Sequence, residues 1–332
     1  MRFRRLLLKY HTMNIVWAII FLAVGLVILW KCAELLVAGA VGLAKRLGVS
    51  PLIIGLTIIA MGTSAPEVAA SIAATVRNVG NIAIGNVYGS NIANLALVGG
   101  LVAFIQPIRI QVRVLRREIP AMMLVALLLW PVMHNLYLSR LEGAALLALF
   151  SVLLLLTVYM ARKEEHEDTK AQEYKAACGL GGNTKKSVLF VVIGLAGLAL
   201  GADITVRGAV FIGERLGMSQ AVIGLTIIAI GTSLPELVTC IVAAVKKQDD
   251  ISMGIMIGSN IFNALLAIGA AGLIRPFAVT GRLAGVDYWI MVVIGAAFAF
   301  MATIGRRISR IDGALLLFGY VGYMVYLLAY SG

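Results

Sequence analysis

Apolar runs of about 20 residues, the length typical of helices that cross a bilayer, alternate with short polar connections along the whole chain. The predicted spans are residues 13–44, 49–76, 82–105, 119–132, 138–160, 188–215, 218–245, 251–274, 286–304 and 311–330. A basic extension at residues 1–12 precedes them, and a charged linker at residues 161–187 separates a first half, 13–160, from a second half, 188–332. The pattern predicts an all-α membrane protein with ten transmembrane helices, five in each half.

Positive charges are distributed unequally between the connections. Those after the odd-numbered spans carry 17 Lys and Arg residues, and those after spans two, four, six and eight carry 5. Because Lys and Arg accumulate on the cytoplasmic side, the first set, including the linker 161–187, is predicted to be cytoplasmic and both termini periplasmic or extracellular. An odd number of spans per half makes the second half enter the membrane from the opposite side. The halves are therefore predicted to be repeats of inverted topology.

Composition narrows the class of protein further. The chain is 61% hydrophobic and 13% charged, which excludes an ordinary soluble domain. A net charge of +12 would suggest a nucleic-acid partner in a soluble protein, but here the basic residues lie mainly between apolar segments and set topology. Cys32, Cys178 and Cys240 have neither paired nor CxxC spacing, so neither a disulfide framework nor a zinc site is predicted.

One stretch of the pattern occurs twice. Residues 55–94 recur at 224–263 with a constant offset of 169 positions. GLTIIAMGTSAPE becomes GLTIIAIGTSLPE, and GSNIAN becomes GSNIFN. Polar, interrupted helix segments at corresponding places of two halves are the sequence pointer to a transporter's binding site.

Each copy places a carboxylate, Glu67 or Glu236, inside an apolar helix. An ionised side chain at that depth costs about 2.5–3.5 kcal/mol even on lenient insertion scales, so it must face a cavity or a partner. Pro66 and Pro235, one position earlier, each remove a backbone N–H and clash with the preceding turn. The carbonyl groups predicted to lose helical partners are those of Gly62, Gly231, Thr63 and Thr232.

The other polar side chains of the two motifs also offer oxygen atoms. They are the hydroxyls and amides of Ser64, Ser90, Ser233, Ser259, Asn94 and Asn263. A set of oxygens without thiolate or imidazole suits hard cations such as Ca²⁺ and Na⁺ rather than zinc or copper, and two carboxylates neutralise one divalent ion. For one motif alone, a kinked helix whose Ser, Thr and Asn bind neighbouring helices explains the residues. The duplication favours the cation site.

GTSAPE with GSNIAN, and GTSLPE with GSNIFN, resemble the two alpha repeats of the sodium/calcium exchangers, within the cation/calcium antiporter superfamily. The resemblance covers residues 33–107 and 202–276 and is greatest to bacterial inner-membrane members. It implies an antiporter in the bacterial inner membrane that exchanges Ca²⁺ for Na⁺, its first and sixth spans sliding over a fixed core. Neither a cofactor nor an obligate protein partner is implied. The partners are the two ions and the lipid bilayer.

The resemblance also implies roles for individual residues. Glu67 and Glu236 would coordinate both Ca²⁺ and Na⁺, and the carbonyls of Thr63 and Thr232 would complete the calcium site. Residues implied to form flanking Na⁺ sites are Ser64, Ser90, Ser233 and Ser259, with the carbonyls of Ala60 and Ala229. Those implied to face the centre are Asn94 and Asn263.

Two positions depart from the family pattern. Asn263 stands where some members carry Asp, so a third carboxylate is absent and the coupling ion is open. Ile255 follows Gly254 where Asn86 follows Gly85, so the second copy lacks one polar group of the first.

Other functions compatible with these residues follow from the same chemistry. The coupling ion could be H⁺ or K⁺ instead of Na⁺. A cation channel would use the same oxygen ligands, although paired buried carboxylates in inverted repeats suit occlusion better than a pore. An intramembrane hydrolase could use Glu67 and Glu236 as acid and base, but there is no HExxH motif and no His near either repeat.

Overall fold

The structure is a computed structural model that describes residues 15–167, 184–217, 227 and 229–330. Predictions that lie wholly or partly outside these residues are the extension 1–12, most of the linker 161–187 with Cys178, and residues 218–226 and 228 of the seventh span, which include part of the second repeat.

Helices account for nearly all of the described chain. In order they are α1 (Ile15–Leu47), α2 (Pro51–Thr63), α3 (Ala65–Val76), α4 (Gly80–Ile105), α5 (residues 114–133), α6 (Arg140–Glu167), α7 (Thr184–Arg215), α8 (Ala229–Thr232), α9 (Leu234–Val245), α10 (Asp249–Ile274), α11 (Leu283–Arg306) and α12 (Arg310–Tyr330). Several contain a π turn, which inserts an extra residue per turn and is frequent at functional sites. The π turns are Gly55–Ile59, Ala93–Val98, Val114–Glu118, Asn263–Ala267 and Leu283–Asp287.

Seven of the described helices are long and apolar enough to cross a membrane. They are α1, α4, α6, α7, α10, α11 and α12. The pair α2 and α3 adds an eighth if its two members, bent by 41° at Ser64, form one span. The prediction of an integral membrane protein is confirmed, and the prediction of ten spans is matched in part.

Two helices extend beyond the apolar spans predicted for them, for related reasons. The fourth span begins at Val114 rather than at residue 119, because a π turn carries the helix back through the charged residues Arg116 to Glu118. Around the linker predicted at 161–187, α6 continues to Glu167 and α7 begins at Thr184. Lys, Arg and Glu are good helix formers. Hydropathy therefore marks where a helix leaves the apolar layer, not where it ends.

Four two-residue strands depart from a purely helical fold. They are β1 (Ile108–Arg109), β2 (Tyr137–Leu138), β3 (Phe277–Ala278) and β4 (Arg307–Ile308). β1 pairs antiparallel with β4, and β2 with β3, so each pair joins a connection of one half to a connection of the other.

The connections gather into two groups that follow their order along the chain. In the first group, the backbone N–H of Arg109 donates to Asp249 (3.2 Å) and Gln111 Nε2 donates to Asp250 (2.6 Å), beside the β1–β4 pair. In the second group, the N–H of Thr280 donates to Asn81 Oδ1 (3.0 Å), beside the β2–β3 pair. Connections after spans three, seven and nine thus meet at one end, and those after spans two, four and eight at the other.

The long helices α1 and α7 pack against each other through glycines. A Cβ on Gly25 would lie 2.8 Å from the backbone N of Thr205, and a Cβ on Gly194 would lie 2.9 Å from the backbone N of Leu36. Small residues allow helices in a bilayer to approach this closely. The two contacts are equivalent under the offset of 169 positions, so α1 and α7 form a symmetric pair.

Two ion pairs occupy equivalent places in the halves. Arg113 Nε lies 3.7 Å from Glu118 Oε1, and Arg282 Nε lies 3.2 Å from Asp287 Oδ2. Residues five apart lie on different faces of an α-helix, but the π turns that end at Glu118 and Asp287 bring them together. Both carboxylates are buried, and the paired guanidinium groups offset the cost of burying them.

Candidate cation site

The break between α2 and α3 places Glu67 inside the protein. Ser64 has φ −81° and ψ 0°, and α3 restarts at Ala65 with Pro66 in its first turn. Because Pro66 has no N–H, it cannot bond to the carbonyl of Gly62 as a helix requires. Bonds around the break run from Ser64 N to Ala60 O (2.9 Å) and from Val68 N to Ser64 O (3.1 Å). Glu67 follows one residue later, in the first turn of α3.

The second copy folds in the same way around Glu236. Ser233 has φ −90° and ψ 6°, and α9 restarts at Leu234 with Pro235 in its first turn. The carboxylates of Glu67 and Glu236 are each 1% exposed. Both enter the interior from a helix start, where the backbone dipole favours negative charge.

The two copies exchange hydrogen bonds across the interface between the halves. Ser64 Oγ donates to Glu236 Oε1 at 3.0 Å, and Ser233 Oγ donates to Glu67 Oε1 at 3.3 Å. Each serine of one half thus holds the carboxylate of the other. The sequence suggested that these four side chains lie close together, and the fold brings them to one place.

The remaining oxygen of each carboxylate has no hydrogen-bond donor among the described residues. This holds for Oε2 of Glu67 and Oε2 of Glu236, both fully enclosed. Within the same described ranges, neither carboxylate forms an ion pair with Lys, Arg or His. Buried polar atoms are nearly always satisfied. Two enclosed carboxylate oxygens with neither donor nor countercharge have the chemistry of cation ligands.

Asn94 and Asn263 lie in the π turns Ala93–Val98 and Asn263–Ala267. α3, which carries Glu67, packs against the turn that starts at Asn263, and α9, which carries Glu236, packs against the turn that contains Asn94. Asn94 Oδ1 and both polar atoms of the Asn263 side chain are buried without a partner in the described part of the chain. The amides therefore lie on the elements that enclose the carboxylates.

Ser90 and Ser259 lie one turn before the two asparagines, on the same helix faces. Both are buried, at 4% and 0% exposure, and Ser259 Oγ has no partner among the described groups. They add hydroxyl oxygens beside the amides.

The predicted carbonyl ligands have differing surroundings. Thr63 is buried, and its hydroxyl donates to Ile59 O at 3.1 Å. Thr232 is partly buried and Ala60 is fully buried. Ala229 begins the short helix α8, and its side chain lies outside the described set.

Sequence reasoning missed the roles of Asn86 and Ser71 in the first half. Asn86 Nδ2 donates both to the backbone oxygen of Glu67 and to Ser71 Oγ, each at 3.1 Å. This bond ties α4 to the turn of α3 that carries the carboxylate. The signal was present in differences between the repeats, since Ile255 and Cys240 occupy the positions equivalent to Asn86 and Ser71.

Comparisons with known proteins agree over most of the chain. The model of the family described as sodium/calcium exchanger protein matches twice, over residues 17–159 and 186–329. The chain is 41% identical over 309 residues to the putative antiporter CaxA of Alkalimonas amylolytica, covering 92% of this chain and 97% of that one. It is 33% identical over 341 residues to the sodium/calcium exchanger MaX1 of Methanosarcina acetivorans, covering 93% and 97%.

A solved structure is similar over the same extent. The sodium-calcium exchanger NCX_Mj, soaked with zero Na⁺ and Ca²⁺, superposes with a TM-score of 0.81 at 29% identity, covering 95% of this chain and 100% of that chain.

Proposed function

The chain belongs to the sodium/calcium exchanger family, as its two motifs predicted, and from that premise we propose that it exchanges Ca²⁺ for Na⁺ across the membrane by alternating access. The family is one of transporters, not enzymes, and cation/Ca²⁺ antiport is the activity common to it. The observation that carries the proposal is the exchanged pair of hydrogen bonds, Ser64 to Glu236 and Ser233 to Glu67, around two enclosed carboxylates.

Charge balance favours one divalent ion between Glu67 and Glu236. Two ionised carboxylates carry a formal charge of −2, which one Ca²⁺ neutralises. Ca²⁺ takes about six to eight oxygen ligands at 2.3–2.6 Å, and the surrounding hydroxyls, amides and carbonyls offer enough. The proposed ligands are the carboxylates with the carbonyls of Thr63 and Thr232. Flanking Na⁺ sites would use the four serines together with the carbonyls of Ala60 and Ala229.

Ten spans in two inverted halves account for the arrangement of the connections. α5, and the segment 218–245 that contains α8 and α9, would be the two further spans. The grouping of connections by odd and even order supports this plan, as does the reciprocity of the Ser–Glu bonds, which is typical of two units related by a twofold axis. We place the protein in the inner membrane of a bacterium, with the linker on the cytoplasmic side.

The formal charge of the site bears on how many ions are coupled to each Ca²⁺. Asn263 contributes a neutral amide, so the site holds one carboxylate fewer than family members with Asp at that position. Several Na⁺ ions would then exceed the charge that Glu67 and Glu236 balance, which favours a low number of coupled ions. The alternative coupling ions are H⁺ and K⁺, which carry the same charge as Na⁺.

Flux measurements on reconstituted protein test the proposal. We expect ⁴⁵Ca²⁺ uptake into proteoliposomes when an outward Na⁺ gradient is imposed, and none when choline replaces Na⁺. Uptake that follows a K⁺ or H⁺ gradient instead would identify that ion, and not Na⁺, as the coupling ion. Ca²⁺ movement down its own gradient without any counter-ion would identify a channel and contradict the antiporter.

A further inference from the structure

A groove between α11 and α12 opens on the outer surface of the helix bundle. Its volume is about 780 Å³, within the range of small-molecule sites. The walls are apolar and aromatic and include Trp289, Val293, Tyr323 and Tyr326. Trp289 and Val293 are 45% and 62% exposed on a helix long and apolar enough to cross the membrane. The groove therefore faces the hydrocarbon layer, away from the cation site.

The groove exists because glycines line it. No described atom lies within 4 Å of a Cβ built on Gly319 or Gly322. The sequence SRLEGA at the start of α6 aligns with SRIDGA at the start of α12, so the equivalent positions of the first half are Leu149 and Val152. The first half therefore carries apolar side chains at the two positions where the second half has glycine.

One end of the groove is cationic. The Arg282 guanidinium lies 5.2 Å from the ring centroid of Tyr326, which lines the groove. Arg282 directly precedes α11, so it lies where that helix meets the membrane surface. Its Nε pairs with Asp287, yet the side chain remains 37% exposed, and arginine carries five N–H donors in a fork that suits phosphate oxygens.

We propose that this groove binds one phospholipid, with an acyl chain between α11 and α12 and the phosphate at Arg282. A cleft that faces the bilayer is filled by acyl chains, because lining atoms without neighbours lose dispersion contacts. The guanidinium at the end of the cleft adds a partner for the headgroup that bulk lipid lacks. Tyrosine and tryptophan along the walls are the residues enriched at headgroup depth.

Quenching of Trp289 fluorescence tests the proposal. With Trp17, Trp30 and Trp130 replaced by Phe, detergent-solubilised protein is titrated with phosphatidylglycerol carrying brominated acyl chains. We expect quenching that saturates near one lipid per protein. We expect Gly319→Leu, which introduces the residue present at position 149, to abolish that saturable phase, and Phe318→Leu, on the exposed face of the same helix, to leave it unchanged. Gly322→Ala serves in the same role if Gly319→Leu fails to fold.

Two further arms distinguish the headgroup and the occupant. Brominated diacylglycerol, which lacks the phosphate, should require about tenfold more lipid for half-saturation, since charge-assisted hydrogen bonds contribute on that scale. Half-saturation at the same concentration of both lipids would show that Arg282 does not bind the phosphate and would contradict that part of the proposal. Quenching that rises linearly with lipid, or that survives Gly319→Leu and Gly322→Ala, would overturn the groove as a specific site. A dimer in native mass spectrometry that Gly319→Leu dissociates would assign the groove to a second copy of the chain and overturn the proposal.

Discussion

The helices α4 and α10 carry the same motif but have different surroundings. In α10, Gly254 and Gly258 are buried, and a Cβ on either would lie 2.6 Å from Leu52 O or 2.5 Å from Leu56 O of α2. In α4, the equivalent Gly85 and Gly89 are partly exposed, and nothing described lies within 4 Å of a Cβ on Gly89. The segment equivalent to α2 is residues 220–232, of which 227 and 229–232 are described.

Among the described residues, the two copies of this motif therefore differ in their contacts, and most of the segment equivalent to α2 lies outside that part of the chain. Backbone contact with α2 encloses Gly254 and Gly258 of α10, whereas Gly85 and Gly89 of α4 are partly exposed among the described residues. A transporter that works by alternating access needs one closed end and one accessible end at a time. Under that mechanism, the opposite state would pack Gly85 and Gly89 as Gly254 and Gly258 are packed here.

A second difference lies one turn from the carboxylates. In the first half, Asn86 holds the backbone of Glu67 and the hydroxyl of Ser71. In the second half, Ile255 is buried and Cys240 Sγ contacts the backbone oxygen of Ser252 at 3.6 Å. The first carboxylate is therefore positioned by an added polar bond and the second by apolar packing.

The largest expected effect comes from removing either carboxylate that the two halves share. Glu67→Gln and Glu236→Gln should each lower Ca²⁺ flux at least about tenfold, because a lost interaction with a charged group amounts to about 1.5–3 kcal/mol. The measurement is ⁴⁵Ca²⁺ uptake into proteoliposomes, with thermal unfolding as a check that the amides preserve the fold. Glu34→Gln, a carboxylate of α1 paired with Lys31, is the control and should transport normally. Near-normal flux in either variant would contradict a two-carboxylate site.

Alanine at the paired glycines tests the comparison of α4 and α10 directly. Gly258→Ala should lower stability by about 1–3 kcal/mol, because its Cβ meets the backbone of α2 and cannot be accommodated by a rotamer change. Gly89→Ala should leave the melting temperature unchanged. Both should slow Ca²⁺ flux, Gly89→Ala because the opposite state requires close packing there. Wild-type flux in Gly89→Ala would show that α4 is never covered in the way that α10 is.

Two substitutions replace the hydrogen bond between Asn86 and Ser71 with the residues found at the equivalent positions of the second half. Asn86→Ile should lower stability by about 1–3 kcal/mol, since the buried Ser71 hydroxyl loses a partner, and should lower Ca²⁺ flux several-fold. Adding Ser71→Cys, which copies Cys240, should recover stability more than flux. A double-mutant cycle on unfolding and on flux measures this coupling. Strictly additive effects would mean that Asn86 does not act through Ser71.

The smallest effect on transport is expected from single cysteines, which report on which side of the membrane each group of connections lies. In a background without the native cysteines, cysteine at position 306 should react with a membrane-impermeant reagent from the cytoplasmic side, and cysteine at position 140 from the periplasmic side. Transport should stay near wild type in both, since Arg306 and Arg140 lie in or beside connections. The reverse labelling would overturn the orientation derived from the distribution of Lys and Arg.

Much of the fold could be predicted because the bilayer imposes simple rules. A helix must satisfy its own backbone in hydrocarbon, so apolar length located most spans within a few residues. The charged start of α5 and the C-terminal end of α6 were not predicted, because good helix formers continue a helix beyond its apolar residues. The Arg282–Asp287 pair was missed as well, since a separation of five residues carries no signal unless a π turn is already known.

The sequence by itself determined the class of protein, the duplication and the oxygen-rich set around Glu67 and Glu236, because these depend on composition and on residues close together along the chain. Only the tertiary structure decided that Ser64 pairs with Glu236 instead of Glu67, that Gly254 and Gly258 of α10 contact α2, and that Gly319 and Gly322 leave a groove. Those features depend on contacts between residues more than 100 positions apart, or on the space between neighbouring helices. The local sequence pattern predicts neither the long-range contacts nor the space between helices, because both depend on how whole helices pack.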